Sequence, residues 1–556
     1  MGKAALLVVL LLGFTVLEAQ DRLSGKSFAS RSEVLARNGM AATNHPFATQ
    51  IAIETLKKGG SAIDAAIAAN AFLGLADPGM NGIGGDLFAI VWDAKTQKLH
   101  GLNASGKSPQ NLSLDKLKEE LKNGRTYRSG ILSVTTPGCV DGWFALHKKF
   151  GKLKFEALLR PTINYAREGI PITSETADFF KLVEPRITSS DNETFKHVYF
   201  TEEGRFPEKG EIFKNPDLAN TLEIIAQEGR DGFYKGRIAQ AIEDLMAENG
   251  GYLTQEDLAQ NKAVWVDPVS INYRGYDIWE MPPNGQGIGA LQILNILKGF
   301  DIASMGFGSS AHIHHFLEAK KLAYEDMKKY YGDPNFGRIP LDELLSDAYA
   351  AARRKNIDID KAGTYEPGIM AGDHTIYLTV ADKDGTMISL IQSNAALFGS
   401  LQVPKGLGFV LQNRGAGFVM EEGHINQYAP NKRPFHTIIP AFVTRDNAPF
   451  MSFGLMGGDM QPQGHAQIIV NLIDFKMNVQ EAGDAPRIYH RGERSTNGDV
   501  YLESGFDYET LSELMDKGHV LRMRKGIYGG YQAILLKDGV YYGASESRKD
   551  GQAAGY

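Results

Sequence analysis

The chain has 556 residues, 43% hydrophobic and 22% charged, with a net charge of −7; it can bury a large core and is not a disordered polymer. That acidic balance lacks the broad cationic surface needed to displace counterions from phosphate, which excludes nucleic acid as the main partner. A single cysteine, Cys139, excludes a disulfide partner within the chain, a CxxC redox pair and a multi-cysteine zinc centre, and the 61 glycines follow no collagen-like period.

In chain order, Lys3 precedes an uncharged, mostly apolar run over residues 4–17, and Glu18-Ala19-Gln20 follows, the layout of a secretory signal. We expect a signal peptide over residues 1–19 and a secreted or periplasmic mature chain. The run is shorter than the ~20 residues that span a bilayer, so an uncleaved membrane anchor is the weaker reading. Residues 46–58 carry apolar side chains at helical spacing between Pro46 and Gly59-Gly60, and Ser61 caps an Ala-rich, buried helix over 62–75 that stops at Pro78. Gly82-Ile83-Gly84-Gly85 then leads into a strand over 87–92. Residues 114–262 are mainly helical, with amphipathic helices over 114–122 and 238–249; another helix spans 309–331, and the polar stretch 356–372 is a linker. Beyond it come short strands over 376–381, 387–392, 438–444, 450–454, 532–536 and 540–543, with one helix near 463–475.

Gly285-Gln286-Gly287-Ile288-Gly289-Ala290 fits the dinucleotide pattern G-x-G-x-x-A between a strand over 276–281 and a helix over 291–297. No second strand with a terminal acidic residue follows at the required spacing, so a tight strand-to-helix turn is the better reading. The chain has no GxxxxGK[ST], GxSxG or HExxH, the markers of P-loop nucleotide hydrolysis, nucleophile-elbow hydrolases and zincins. His312, His314 and His315 form the one histidine cluster; His314 and Glu318 share a helix face at i, i+4, but no further ligand group stands out, and neither metal nor cofactor is expected. Between linker and strand stands Asp373-His374-Thr375, on propensity alone an ordinary strand start before an Asp384-Gly385 turn.

A set of stretches in order resembles the gamma-glutamyltransferase (gamma-glutamyltranspeptidase) family over nearly all of the mature length. They are His45-Pro46, Lys57-Lys58-Gly59-Gly60-Ser61-Ala62-Ile63-Asp64-Ala65-Ala66, Gly82-Ile83-Gly84-Gly85, Thr136-Pro137-Gly138, Gly332-Asp333-Pro334, Lys432-Arg433-Pro434, Gly457-Gly458, Ala485-Pro486-Arg487 and Ala554-Gly555-Tyr556. The resemblance implies an α+β chain with the N-terminal-nucleophile hydrolase fold, a four-layer αββα sandwich. It also implies a precursor that cuts itself between His374 and Thr375 into a large subunit, residues 20–374, and a small subunit, residues 375–556, which stay associated. Thr375 would then be the nucleophile. Its hydroxyl is weak at its own pKa, but the α-amine freed by the cut, with a pKa of about 7.7–8.0, is a general base on the same residue. Gly457 and Gly458 match glycines whose N–H groups hold the oxyanion, and Ser393 matches a hydroxyl that orients the nucleophile.

In the substrate pocket the chain departs from the family pattern. Ser105 stands where the family places an arginine for the glutamyl α-carboxylate, Arg414 and Gly417 stand where polar or acidic groups hold the α-amine, and His436-Thr437 replace paired serines. An arginine repels an ammonium and suits a carboxylate or carbonyl. This pattern looks like the family's amidohydrolase-like branch, which includes an oxamate amidohydrolase and relatives of glutaryl-type acylases. The leading expectation is a self-processing threonine amidohydrolase or transferase that cleaves γ-glutamyl, glutathione-type, or related carboxylate-bearing small-molecule amides. The alternatives are an oxamate-like or acylase-like amidohydrolase without γ-glutamyl specificity, and a non-catalytic binding protein of the same fold, against which intact Thr375 and Gly457-Gly458 stand.

Overall fold

A computed structural model describes residues 25–188, 192–364, 374–492 and 497–556; the expected signal segment and residues 365–372 of the expected linker lie outside them. Local chemistry sets the first elements. His45 Nδ1 accepts from Phe47 N at 3.2 Å and caps the helix Pro46–Lys57, and burial pushes the imidazole down to about 4, which keeps that nitrogen free to accept. Ser61 and Asp64 form a reciprocal capping box on Ala62–Ala76, whose small side chains are buried almost all round.

Two seven-stranded antiparallel sheets stack face to face. The first runs Gln552–Gly555, Met40–Thr43, His374–Ala381, Met387–Ala395, Asp86–Asp93, Lys98–Ala104, Val264–Val266. The second runs Val34–Ala36, Val540–Ser545, Gly530–Lys537, Ala448–Met456, Ala441–Arg445, Tyr276–Glu280, Val269–Tyr273. The period-two alternation of His374–Ala381 decides its packing: Ile376, Leu378 and Val380 join a core shared with helix Ala62–Ala76, while Tyr377 and Ala381 face Phe442 and Ile534 of the other sheet. Thr379 Oγ1 meets Ser452 Oγ at 2.5 Å between the sheets. Helices Gly287–Leu297 and Met460–Ile473 cover the outer face of the second sheet, with Ser310–Tyr330 packed on Gly287–Leu297, as Pro46–Lys57, Ala62–Ala76 and Cys139–Phe150 cover that of the first. Helix, sheet, sheet, helix is the expected αββα order. No described helix is long and apolar enough to cross a membrane.

Two expectations need correction. The strand expected over 438–444 opens only at Ala441, after Pro440, which has no N–H to give a ladder. The last third holds three described helices, not one: Val479–Asp484 and Tyr508–Asp516 join Met460–Ile473. The first of these is six residues long and rests on an Asn478/Glu481 capping box, and the second buries only Leu514, so neither leaves a readable apolar period.

Candidate active site

Thr375 sits at a register shift between His374 and Ile376, where the ladder to Met387–Ala395 bulges. A bulge frees one residue from pairing and re-aims its side chain. Thr375 Oγ1 donates to Ser393 Oγ over 3.4 Å, and Ser393 Oγ also accepts from Ala395 N at 2.8 Å. The glycine turn found in the sequence packs against this spot. A Cβ at Gly85 would lie 2.3 Å from the Ser393 carbonyl oxygen, and one at Gly84 would lie 2.0 Å from that of Val410, so both positions require glycine.

A cavity of about 190 Å³ joins Thr375 to Gly457, at the end of strand Ala448–Met456 in the other sheet. Gly457 and Gly458 have φ of 118° and 56°, values that favour glycine, and only the N-cap residue Asp459 separates them from helix Met460–Ile473, whose N-terminus adds partial positive charge. Neither N–H donates to a backbone carbonyl among the described residues. Buried Gln286 holds this turn: its Nε2 donates to the carbonyls of Gly458 at 2.9 Å and Thr437 at 2.6 Å. The motif weighed above as a nucleotide loop is thus a strand-to-helix turn that braces the glycine pair, with the helix opening at Gly287 itself.

The expected substrate residues fall into two groups. Asp86, fully buried, accepts from His436 Nε2 at 2.7 Å, Gly106 N at 2.9 Å and Gln412 Nε2 at 3.1 Å, and lies 3.8 Å from Arg414 Nε. Arg414 Nη1 donates to Thr437 Oγ1 at 2.8 Å, so Arg414, His436 and Thr437 form one network around Asp86. Asp86 is the cross-strand neighbour of Ser393, which connects that network to Thr375. Ser105 instead donates to Asn103 Oδ1 at 2.7 Å and accepts from Asn284 at 3.3 Å. None of these four lines the cavity at Thr375. Its walls include Tyr489, Tyr501, Arg491, Arg524 and Lys549, the last paired with Glu175. Sequence reasoning missed these five, together with Asp86 and Gln286. Only the last two carried a signal, one following Gly84-Gly85 and the other flanked by Gly285 and Gly287.

Two antiparallel sheets stacked between helical layers define an N-terminal-nucleophile hydrolase, and comparison with known proteins narrows the class. The gamma-glutamyltranspeptidase family profile matches residues 48–556. The chain is 34% identical over 531 residues to the glutathione hydrolase-like YwrD proenzyme of Bacillus subtilis (strain 168), covering 94% of this chain and 99% of that protein. It is 33% identical to the acylase ACY 1 proenzyme of Pseudomonas sp. (strain SE83), covering 92% of each. The crystal structure of cephalosporin acylase from Bacillus halodurans superposes with a TM-score of 0.87 at 41% identity, over 97% of this chain and 99% of that one. The chain belongs to the gamma-glutamyltranspeptidase family, and it is a hydrolase of the N-terminal-nucleophile type.

The Gln286 contacts lead to a first prediction. Gln286→Leu keeps the volume but removes both donations, so kcat should fall roughly 10- to 100-fold, less than the 10²–10³ for direct loss of an oxyanion donor, with KM little changed. Steady-state kinetics on the folded variant check this; an unchanged kcat removes the positioning role from Gln286.

Proposed function

We propose that the chain is an exported, self-processing threonine amidohydrolase whose substrates are amides of small acyl groups bearing a carboxylate. The observation that carries this reading is the bulged, buried Thr375 hydroxyl opening with Gly457 onto one cavity. In maturation, Thr375 Oγ attacks the carbonyl carbon of His374; the C–N bond breaks, leaving an ester on Oγ and an amine on Thr375. Water then hydrolyses the ester, separating residues 20–374 from 375–556. In turnover, the α-amine takes the hydroxyl proton as Oγ attacks the substrate amide, and the Gly457 and Gly458 N–H groups hold the oxyanion. The proton passes to the departing amine, and water releases the acid from the acyl-enzyme.

The cationic walls favour an anionic acyl group. Arg491, Arg524 and Lys549 rim the cavity, and Arg414 stands where the family resemblance puts the amine of a γ-glutamyl group. Arg414 does not line the cavity, so its repulsion of an amine there is weaker than the about 4 kcal/mol of two unit charges 4 Å apart at an effective dielectric of 20, and Asp86, 3.8 Å from Arg414, offsets part of it. Glutaryl and γ-glutamyl p-nitroanilides differ only by that amine. The glutaryl compound should be hydrolysed with a kcat/KM about 10-fold higher, equivalent to ~1.4 kcal/mol, and Arg414→Gln should narrow the gap. Oxamate tests the smallest carboxylate-bearing amide by ammonia release. Hydrolysis confined to the γ-glutamyl anilide refutes the Arg414 reading and restores a glutathione-type substrate.

A further inference from the structure

A second cluster of ligating side chains joins two distant parts of the chain. His314 and Glu318 stand one turn apart on helix Ser310–Tyr330, and His519 directly precedes strand Val520–Arg522. His314 Nδ1 and His519 Nε2 are 2.8 Å apart, and one ligand atom from each of the three residues lies within 4.8 Å of the other two. His314 and Glu318 are fully buried, and His519 is 4% exposed.

Hydrogen bonds fix how these groups are presented. His314 Nε2 faces the Asp358 carbonyl at 2.7 Å and donates to it, so Nδ1 carries the lone pair and accepts from His519 Nε2. His519 Nδ1 has no partner among the described residues. An outer ring N–H held by a backbone carbonyl is the arrangement that orients metal-ligating histidines. Glu318 Oε1 accepts from Lys321 Nζ at 2.7 Å and Oε2 from Gly363 N at 3.0 Å, which leaves each oxygen a second lone pair.

We propose that His314, Glu318 and His519 bind one divalent transition-metal ion of the zinc class. Two imidazole nitrogens and one carboxylate oxygen are a set that zinc accepts, with water as the fourth ligand, and imidazole selects against calcium and magnesium. The ion takes the lone pairs of His314 Nδ1 and His519 Nε2, and the proton of the second ring moves to its unpartnered Nδ1. Zn–N bonds of about 2.0–2.1 Å place tetrahedral ligands roughly 3.3 Å apart, so the histidine pair opens by about half an ångström as the carboxylate closes. Lys321 Nζ keeps an acceptor throughout, the Gly363 carbonyl at 3.0 Å. Two ligands precede Thr375 and one follows it. Given the cut proposed above, the ion ties the large fragment to the small one; binding itself does not depend on the cut.

The test uses the full purified protein, stripped with EDTA, and Zn²⁺ or Co²⁺ alone as probe. One zinc per chain should survive dialysis, and Co²⁺ should give the visible absorption of a four-coordinate site. His519→Gln should weaken zinc binding by about 100-fold or more, since losing even an outer partner of a zinc ligand costs 10–100-fold, while hydrolysis stays at the wild-type rate. Zinc at background in the wild type, retention unchanged in His519→Gln, or a six-coordinate cobalt spectrum overturns the proposal. A chain that binds zinc but is never cut keeps this site and refutes the Thr375 reading, and a cut chain that binds none does the reverse.

Discussion

Thr375→Ala is expected to remain a single uncut polypeptide near the 60.9 kDa of the full chain, with hydrolysis lost by on the order of 10⁶. The effect is large because one side chain serves twice. Without the hydroxyl no N-to-O shift occurs at His374, so the α-amine that would act as base never forms, and the substrate also lacks its nucleophile. Thr375→Ser keeps both groups and loses only a methyl, so it should still be cut, more slowly, and retain measurable turnover. Ser393→Ala lies between, because Ser393 touches the Thr375 hydroxyl only over a long 3.4 Å contact. Gel electrophoresis beside a chromogenic anilide assay separates these outcomes. A Thr375→Ala chain cut and active like the wild type places the nucleophile elsewhere.

Glu546→Gln should lower stability by about 3–5 kcal/mol, read as a reduced urea midpoint. Glu546 is buried among Arg487 Nη2 at 2.7 Å, Arg548 Nη1 at 2.8 Å and the Tyr531 N–H at 2.7 Å. Burial alone would push its carboxyl up, but Arg487 and Arg548 outweigh it and hold the group down at about 2. Neutralising it leaves Arg487, itself 2% exposed, without its buried counter-charge. The folded pKa lies below the free value of 4.5, so this contribution is complete above pH 4.5 and is lost as pH falls through about 2; the variant should show a flatter acid transition over that range. Arg487 also donates to the Tyr528 carbonyl at 2.8 Å, just before Gly529, whose Cα would lie 3.1 Å from a Cβ at Gly457. Some loss of kcat should therefore accompany the lost stability. An unchanged midpoint would mean that the cluster relaxes or hydrates at no cost.

The elements that could be read from sequence are those stabilised locally. Ser61 announced one helix, Pro46 and Gly59-Gly60 bounded another, and short apolar runs marked the inner strands. Met40–Thr43 and Gln552–Gly555 were not legible, since small residues without β preference become strands only by pairing with each other and, for Met40–Thr43, with His374–Ala381. The site divides in the same way. Thr375, Gly457 and Gly458 came from family motifs, and Arg414 from a departure from them. Asp86 and His436 are 350 residues apart, and His314 and His519 are 205 apart, so no local pattern could join them. The signal segment and residues 365–372 of the linker remain expectations from sequence, outside the described residues.

N-terminal sequencing of the smaller fragment of the purified protein tests the central reading most directly. The first residue should be Thr375, followed by Ile376-Tyr377-Leu378, in a fragment that copurifies with the larger one. A protein that stays whole while hydrolysing amides, or a fragment that begins at any other residue, would contradict it.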